Sequence, residues 1–352
     1  MKKYQIYEVL PEHHHAGTKA VKDSMNIAQE EGFQLQRIRL NNMSNHIVKK
    51  LYKHLILIFD WYKLLFAIKR DSVVLLQFPI KFLKFNSIFV LKILKKYKNI
   101  EIITLLHDLP ELRMKGEEEK ISPQNRSIIQ LSNVLIAHNS KMIEYLEKKG
   151  FSRDKIINLE IFDYLIDTDM IKSASPTFEK SLIIAGNLDK DKVGYLKKLD
   201  RFEETSFQLY GPNFDNSINF DNVTYNGSYP PEQLMSHLVS GFGLVWDGDS
   251  VETCSGAFGD YLKFNNPHKM SLYLASALPV VVWSLSAQAQ FVSDNKIGLT
   301  IDSLADFEKQ MYNLTEKDYH LLVTNTNDVS KKLTSGYFLK KALCQAEELL
   351  VE

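Results

Sequence analysis

The stretch Tyr261–Trp283, YLKFNNPHKMSLYLASALPVVVW, holds a loop, a helix and a strand in one short run. Asn265, Asn266 and Pro267 are residue types that begin helices. An apolar run follows from Met270, and Leu278-Pro279 stops it before a row of valines that reads as a buried strand. Two amides, His268 and Lys269 therefore crowd one helix entrance, where free N–H groups and the helix dipole favour negative charge. Lys269 adds a point charge suited to phosphate, and His268 a further donor. The plainer alternative is a capped core helix with one exposed lysine.

The same order of loop, helix and strand extends in both directions. Downstream of Lys180 the β-rich runs are SLIIAGN, SFQLYG, VTYNGSY, GFGLVW, LPVVVW and IGLTI, with helical patterns between them. Upstream stand YQIYEVL, FQLQRIRL, SVVLLQF, IEIITLLH, NVLIAH and KIINLE, again separated by helices. Apolar runs bounded by turns and alternating with helices predict parallel sheets covered on both faces. Between Ile161 and Lys180 the polar DTDMIKSASPTFEK reads as a linker. The expected division is 1–165, 178–330, and a C-terminal helix over 331–352 that crosses back to the N-terminal domain. The fold class is α/β, with two Rossmann-like domains facing a cleft, and such folds bind ligands at the carboxyl ends of their strands.

Architecture alone does not choose a function. A sugar transferase of the two-domain B-type, a nucleotide-sugar epimerase of the same shape and a periplasmic-type binding protein all fit. The last needs export, and Met1 leads straight into a strand-like KKYQIYEVL rather than a signal peptide. The 352 residues carry 43 basic and 43 acidic side chains, so no global field favours nucleic acid as a partner. Cys254 and Cys344 lie far apart and form no metal or redox motif, which reads as two free thiols in a reducing cytoplasm.

Two helical patterns stand out. Leu51–Lys69 is strongly apolar, but Lys53, His54, Asp60 and Lys63 interrupt it, so it reads as a buried amphipathic helix rather than a membrane span. Lys81–Asn99 mixes Phe, Leu and Ile with lysines. It reads either as a helix on an anionic membrane surface or as a docked helix whose lysines face water.

Catalytic candidates must stand at strand ends that face the cleft. His107 and Asp108 close the run IEIITLLH, where a carboxylate or imidazole can take a proton from an acceptor hydroxyl. His13, His14 and His15 end the first strand; with only Glu12 as a companion they lack a ligand set, and no metal is expected. After that strand, AGTKAV places Gly17 for close backbone approach and Thr18 as a helix cap or ligand contact. In WDGDS, Asp247 and Asp249 either accept bonds from sugar hydroxyls or form an Asp-Gly turn.

GFGLVWDGDS followed by NNPHKMSLYLASALPVVVW resembles a family of bacterial sugar transferases. It includes the glucosyltransferases that extend N-acetylglucosamine on serine-rich-repeat adhesins and the β-1,6-galactofuranosyltransferases. LLHDLPELR, VLIAHNSKMIEYL, IIAGNLDK and SYPPEQL match in family order across nearly the whole chain. The resemblance implies a B-type glycosyltransferase fold with a UDP-sugar held mainly by the C-terminal domain. It implies that Lys269 meets the donor phosphates and that Tyr229 lies near the nucleotide. It places Gly186, Asn187 and Lys190 in a loop under the donor; the adhesin enzymes often carry arginine where Lys190 stands. Thr18, with Gly17 and His15, falls on the acceptor side. Asp247, Asp249, Asn265, Asn266 and His268 complete the expected donor site.

The resulting expectation is a cytoplasmic hexosyltransferase, galactofuranosyl or glucosyl, that needs no cofactor and acts on a glycan, glycoprotein or lipid-linked acceptor. The WDGDS…NNPHK form is closer to the galactofuranosyltransferases, which favours a furanose donor. Peripheral contact with the inner face of the membrane and a homo-oligomeric state are part of this expectation. The rival is a non-catalytic glycan-binding or partner subunit of the same fold.

Overall fold

A computed structural model describes residues 1–9, 16–39, 47–81, 84–115, 121–166 and 176–351. The triplet His13–His15 lies outside the described residues. Two parallel six-stranded sheets form the framework. The first contains β1 (Lys2–Val9), β2 (Gln34–Arg39), β3 (Ser72–Phe78), β4 (Glu101–Leu106), β5 (Val134–Ala137) and β6 (Ile156–Asn158), in the order β2-β1-β3-β4-β5-β6. The second contains β7 (Thr177–Ala185), β8 (Ser206–Tyr210), β9 (Val223–Tyr225), β10 (Ser240–Val245), β11 (Val280–Trp283) and β12 (Gly298–Ile301), in the order β12-β11-β10-β7-β8-β9. Every pairing is parallel.

The central strands are continuous apolar runs because helices cover them on both sides. Val73 to Leu76 and Val280 to Trp283 are all buried. In each sheet the strand order reverses once, between β1 and β3 and between β7 and β10. At such a switch point the loops leave in opposite directions and open a crevice at the carboxyl ends of the strands. In the second sheet those ends lead into Gly186-Asn187 and into Trp246-Asp247. Gly186 has φ +135°, and a Cβ on Gly211 would lie 1.7 Å from the Gly186 carbonyl oxygen, so this loop depends on glycine at both positions.

The linker read over Asp167–Lys180 lies mostly outside the described residues, and its last part, from Thr177, already belongs to β7; the residues just before it are core. Ile161, Phe162, Asp163 and Tyr164 are buried. Asp163 accepts bonds from the backbone N–H groups of Phe338 (3.1 Å) and Leu339 (2.7 Å), at the start of the helix Tyr337–Leu349. That helix packs against β5, β6 and α1 (Ala16–Glu30) of the first half.

The helix α2 (Ile47–Ala67) is buried along one side, as the amphipathic reading expects, and its outward side is apolar as well. Leu57, Trp61, Leu64 and Ile68 face the core with Asp60, whose carboxylate holds Arg39 at 2.7 Å. Leu51, Tyr52, Leu55, Phe59 and Phe66 are exposed. Among the described residues no helix is long and apolar enough to cross a membrane.

Candidate active site

The opening stretch lies where the second sheet meets the first half. Pro267 is the N-cap of the helix His268–Ala275, so the helix begins after both asparagines. Asn266 is buried and spends its amide on joining the two halves rather than on an anion. Its Nδ2 donates to the carbonyls of His138 (2.7 Å) and Glu160 (2.8 Å). Its Oδ1 accepts from Asn139 Nδ2 at 2.7 Å and from Gln288 Nε2. Its backbone N–H donates to His138 Nδ1 at 3.0 Å. Asn265 binds Gln288 Nε2 through its backbone carbonyl, and its side-chain oxygen is buried without a hydrogen-bond partner.

Lys269 turns toward the switch point. Its ammonium lies 2.8 Å from Asp247 Oδ1 and 3.0 Å from the Trp246 carbonyl, with both side chains largely buried. Lys192 is close enough to Asp247 and Lys269 to feel both. Asp247 pulls its pKa up, but burial and the charges of Lys269 and Arg113 together hold it below the usual lysine value. One ammonium group thus binds the Asp247 carboxylate and a second lies within its electrostatic reach, at the carboxyl ends of β7 and β10. A polyanion placed there would relieve the repulsion between them. Lys190, expected in the loop under the donor, is exposed at the start of a short helix capped by Asp189, and Lys192 is the lysine of that helix that feels Asp247.

The glycine-asparagine loop is held by its own contacts. Asn187 Oδ1 accepts from Asn213 Nδ2 at 2.8 Å and from the Asp189 N–H at 3.2 Å. Tyr273, on the His268 helix, accepts the Ala185 N–H at 2.7 Å and so fixes the end of β7. Its ring occupies the space a side chain at Gly243 would need. Tyr229 belongs to a separate aromatic group, with His237 at 4.2 Å and Tyr210 at 6.3 Å between ring centroids. Asp249 forms the plainer turn: Ser255 donates to its carboxylate, its backbone carbonyl accepts from Lys198, and its side chain is exposed. Thr18 lies within the first turn of α1 and not at its cap, with Gly17 before it.

Three histidines approach the cleft from different elements. His107 follows β4, stacks on Phe162 at 5.2 Å and meets Gln77 Oε1 through Nε2 at 2.8 Å. With that tautomer its Nδ1 keeps a free lone pair, and this atom has no hydrogen-bond partner. His138 follows β5 and meets the same Phe162 ring edge-on at 4.8 Å. His268 packs on Tyr164 at 5.0 Å. Burial, then the nearby His138, His268 and Lys81, push His107 down to about 3. Burial lowers His138 to about 4 against the pull of Asp108, and burial with Lys19 lowers His268 to about 3. His268 is therefore a neutral ring at neutral pH, which still carries one N–H donor.

Asp108 bridges the halves. Its Oδ1 accepts from the Tyr261 hydroxyl and its Oδ2 from Arg113 at 3.0 Å. Tyr261 also accepts the Leu109 N–H at 3.2 Å. Arg113 and Lys192 both lie near the Phe258 ring, so cations from the two halves converge on one aromatic side chain. Among the described residues no group of three or more His, Cys, Asp and Glu is placed to hold a metal ion.

Residues 3–161 match the N-terminal domain of the glucosyltransferase 3-like family, and residues 182–346 match its C-terminal domain. The chain belongs to the glucosyltransferase 3-like family. It is 34% identical over 331 residues to the β-1,6-galactofuranosyltransferase WbbI of Escherichia coli K12, covering 93% of each chain. It is 27% identical over 264 residues to glucosyltransferase 3 of Streptococcus gordonii, covering 75% of each. In fold it is similar to an α,α-trehalose-phosphate synthase (UDP-forming) from Burkholderia vietnamiensis, with TM-score 0.62, 9% identity and 99% of each chain covered. The two parallel sheets and their cleft are the B-type glycosyltransferase fold.

Lys192, Arg113, Tyr261, Phe258, Phe162 and His138 were not singled out from sequence. His138 alone had a readable signal, since it ends a strand in the way that His107 does.

Proposed function

We propose that this glycosyltransferase moves a hexosyl group from a UDP-sugar to a glycan, glycoprotein or lipid-linked acceptor, with galactofuranose the preferred sugar. The observation that carries the reading is the pair Lys192 and Lys269 around Asp247 at the switch point of the second sheet. A diphosphate is the ligand that such a site accommodates, because it can take both ammonium groups while the helix end adds N–H donors. The likeness to a UDP-forming synthase supports uracil as the base, with Tyr229 and the Gly186-Asn187-Lys190 loop beside it. The greater identity to the galactofuranosyltransferase than to the glucosyltransferase supports the furanose.

In this reading the acceptor enters from the first half, past Gly17, Thr18 and His15. His107 takes the acceptor proton at Nδ1. Its low basicity rises when a diphosphate dianion enters the same low-dielectric space. Asp108, with both oxygens engaged, positions Arg113 and Tyr261. The leaving diphosphate is balanced by Lys269, Lys192 and the helix end, so no metal is required. Self-assembly into a homo-oligomer belongs to the same reading and is checked by analytical ultracentrifugation.

A panel of UDP-sugars tests it. The enzyme releases free sugar slowly from its own donor, and that donor raises the melting temperature most. A partner subunit that merely keeps the fold releases none, and this result would remove the enzymatic reading.

A further inference from the structure

The first half carries an apolar surface that the donor and acceptor sites leave unused. It is built from α2 and α3 (Lys84–Lys98). On α2, Tyr52, Leu55, Phe59, Tyr62 and Phe66 recur at alternating spacings of three and four, the period of one helix face. The buried stripe Leu57, Trp61, Leu64 and Ile68 has the same period. Phe59 follows Leu57 by two positions, about 200° around the helix, so the two stripes lie on opposite sides. Phe66 is 87% exposed and Phe85, on α3, 73%. Tyr62 lies 6.2 Å from Phe89 between ring centroids and joins the two helices into one face. Contiguous apolar surface of this kind normally marks a contact site.

The charge around it identifies what covers it. Residues 47–98 contain twelve lysines and arginines and two acidic residues, Asp60 and Asp71, in a chain whose net charge is zero. Some of these charges are occupied: Lys95 binds the Leu131 carbonyl and Asn133, Lys84 binds Asn125, and of the two acids Asp60 is held by Arg39. Lys63, Lys69, Arg70, Lys92 and Lys96 are exposed. Lys63 stands between Phe59 and Phe66 along α2, and Lys92 and Lys96 continue the Phe85–Phe89 stripe of α3. A second copy of this chain placed on the face would set cations against cations. An anionic bilayer supplies acyl chains for the aromatic residues and phosphate for the lysines.

We infer that the α2–α3 face docks the enzyme on an anionic membrane leaflet, with Phe59, Phe66, Phe85 and Phe89 in the interface. Both helices begin at the carboxyl edge of the first sheet, because each follows the end of a parallel strand, β2 or β3. Docking therefore brings the rim of the cleft toward the lipid surface, where a lipid-linked acceptor is held. The inference is independent of which donor the second half binds, so it stands or falls separately from the donor assignment.

Sedimentation of the full chain with vesicles tests it, using phosphatidylcholine alone and phosphatidylcholine with phosphatidylglycerol. Binding is expected on the anionic vesicles at low salt and is lost at high salt. The double variant Lys92→Ala, Lys96→Ala lowers the partition coefficient about fivefold per lysine removed. Phe59→Ser and Phe66→Ser lower it about tenfold each. All of these variants keep the wild-type circular dichroism and UDP affinity, since none touches the core or the donor site. Protein that stays in the supernatant, or binds neutral vesicles equally well, overturns the inference. So does a dimer in analytical ultracentrifugation that Phe59→Ser dissociates, because that result assigns the face to a second copy.

Discussion

Asn266→Ala separates structural from ligand-binding roles at the entrance of the His268 helix. The side chain supplies four hydrogen bonds in a buried place, two donated to the His138 and Glu160 carbonyls and two accepted from Asn139 and Gln288. Alanine leaves both carbonyls without that donor. Asn139 Nδ2 keeps its bond to the Phe264 carbonyl at 3.0 Å, its Oδ1 keeps the Met142 N–H, and Gln288 keeps its bond to the Asn265 carbonyl. At about 1 kcal/mol for each lost bond, with a somewhat larger cost for a carbonyl orphaned in the interior, the loss is about 3–5 kcal/mol. Urea unfolding followed by tryptophan fluorescence measures it, with Trp61 in the first half and Trp246 and Trp283 in the second all buried. Calorimetry of the folded variant with UDP should show affinity within a few-fold of wild type. A stability loss under about 1 kcal/mol together with a large loss of UDP affinity would refute this reasoning and return Asn266 to the anion site.

Lys269→Ala and Lys192→Ala should each weaken UDP binding by about 1.5–3 kcal/mol, the range for a charge-assisted hydrogen bond, as read by calorimetry. Unchanged affinity in either folded variant removes that lysine from the diphosphate site. His107→Ala should lower turnover by about 10²–10⁴ with UDP affinity within a few-fold, and Asp108→Asn should do so through misplacement of Arg113 and Tyr261. Near-normal turnover in both would move the base to the His13–His15 loop. Activity should survive exhaustive chelation; a complete loss restored by a divalent ion contradicts the metal-free reading. Stability should be full above pH 6.5 and fall as the pH drops toward 4, because His107, His138 and His268 stay neutral when folded and take up protons when unfolded. Each contributes about 1.4 kcal/mol per pH unit at most. Asp163, which burial raises to about 7, acts in the opposite sense between about pH 4 and 7, leaving a net slope near that of two histidines. Urea midpoints at several pH values check this, and a flat profile would contradict it.

The two sheets were readable because burial on both faces writes itself into local sequence as unbroken apolar runs such as SVVLLQF and LPVVVW. Asp247 and Lys269 were readable because each lies at a strand or helix end, where side chains meet ligands. Lys192 was not. Lys190 and Lys192 sit in one short turn, and only the packing of that turn decides which of them reaches Asp247. Arg113, Tyr261 and Phe258 escaped for a related reason: Asp108 and Tyr261 meet across a separation of 153 residues, and no local pattern records the meeting. The outward stripe of α2 was hidden differently. A helix apolar on two opposite faces has the composition of a buried one, and only the phase of its residues against the sheet tells them apart.

Asp163 and the helix Tyr337–Leu349 bear on how the polypeptide is made. The carboxylate that seals the start of this helix comes just after β6, yet the helix itself is translated only after the whole second sheet. A ribosome-bound chain that has released the first sheet still lacks a helix that covers β5 and β6, and leaves Asp163 without its two backbone donors. The first half therefore waits on the second to complete its own surface. Synthesis in two separate pieces should yield an N-terminal fragment that is sticky and short-lived until the later helix is supplied in trans.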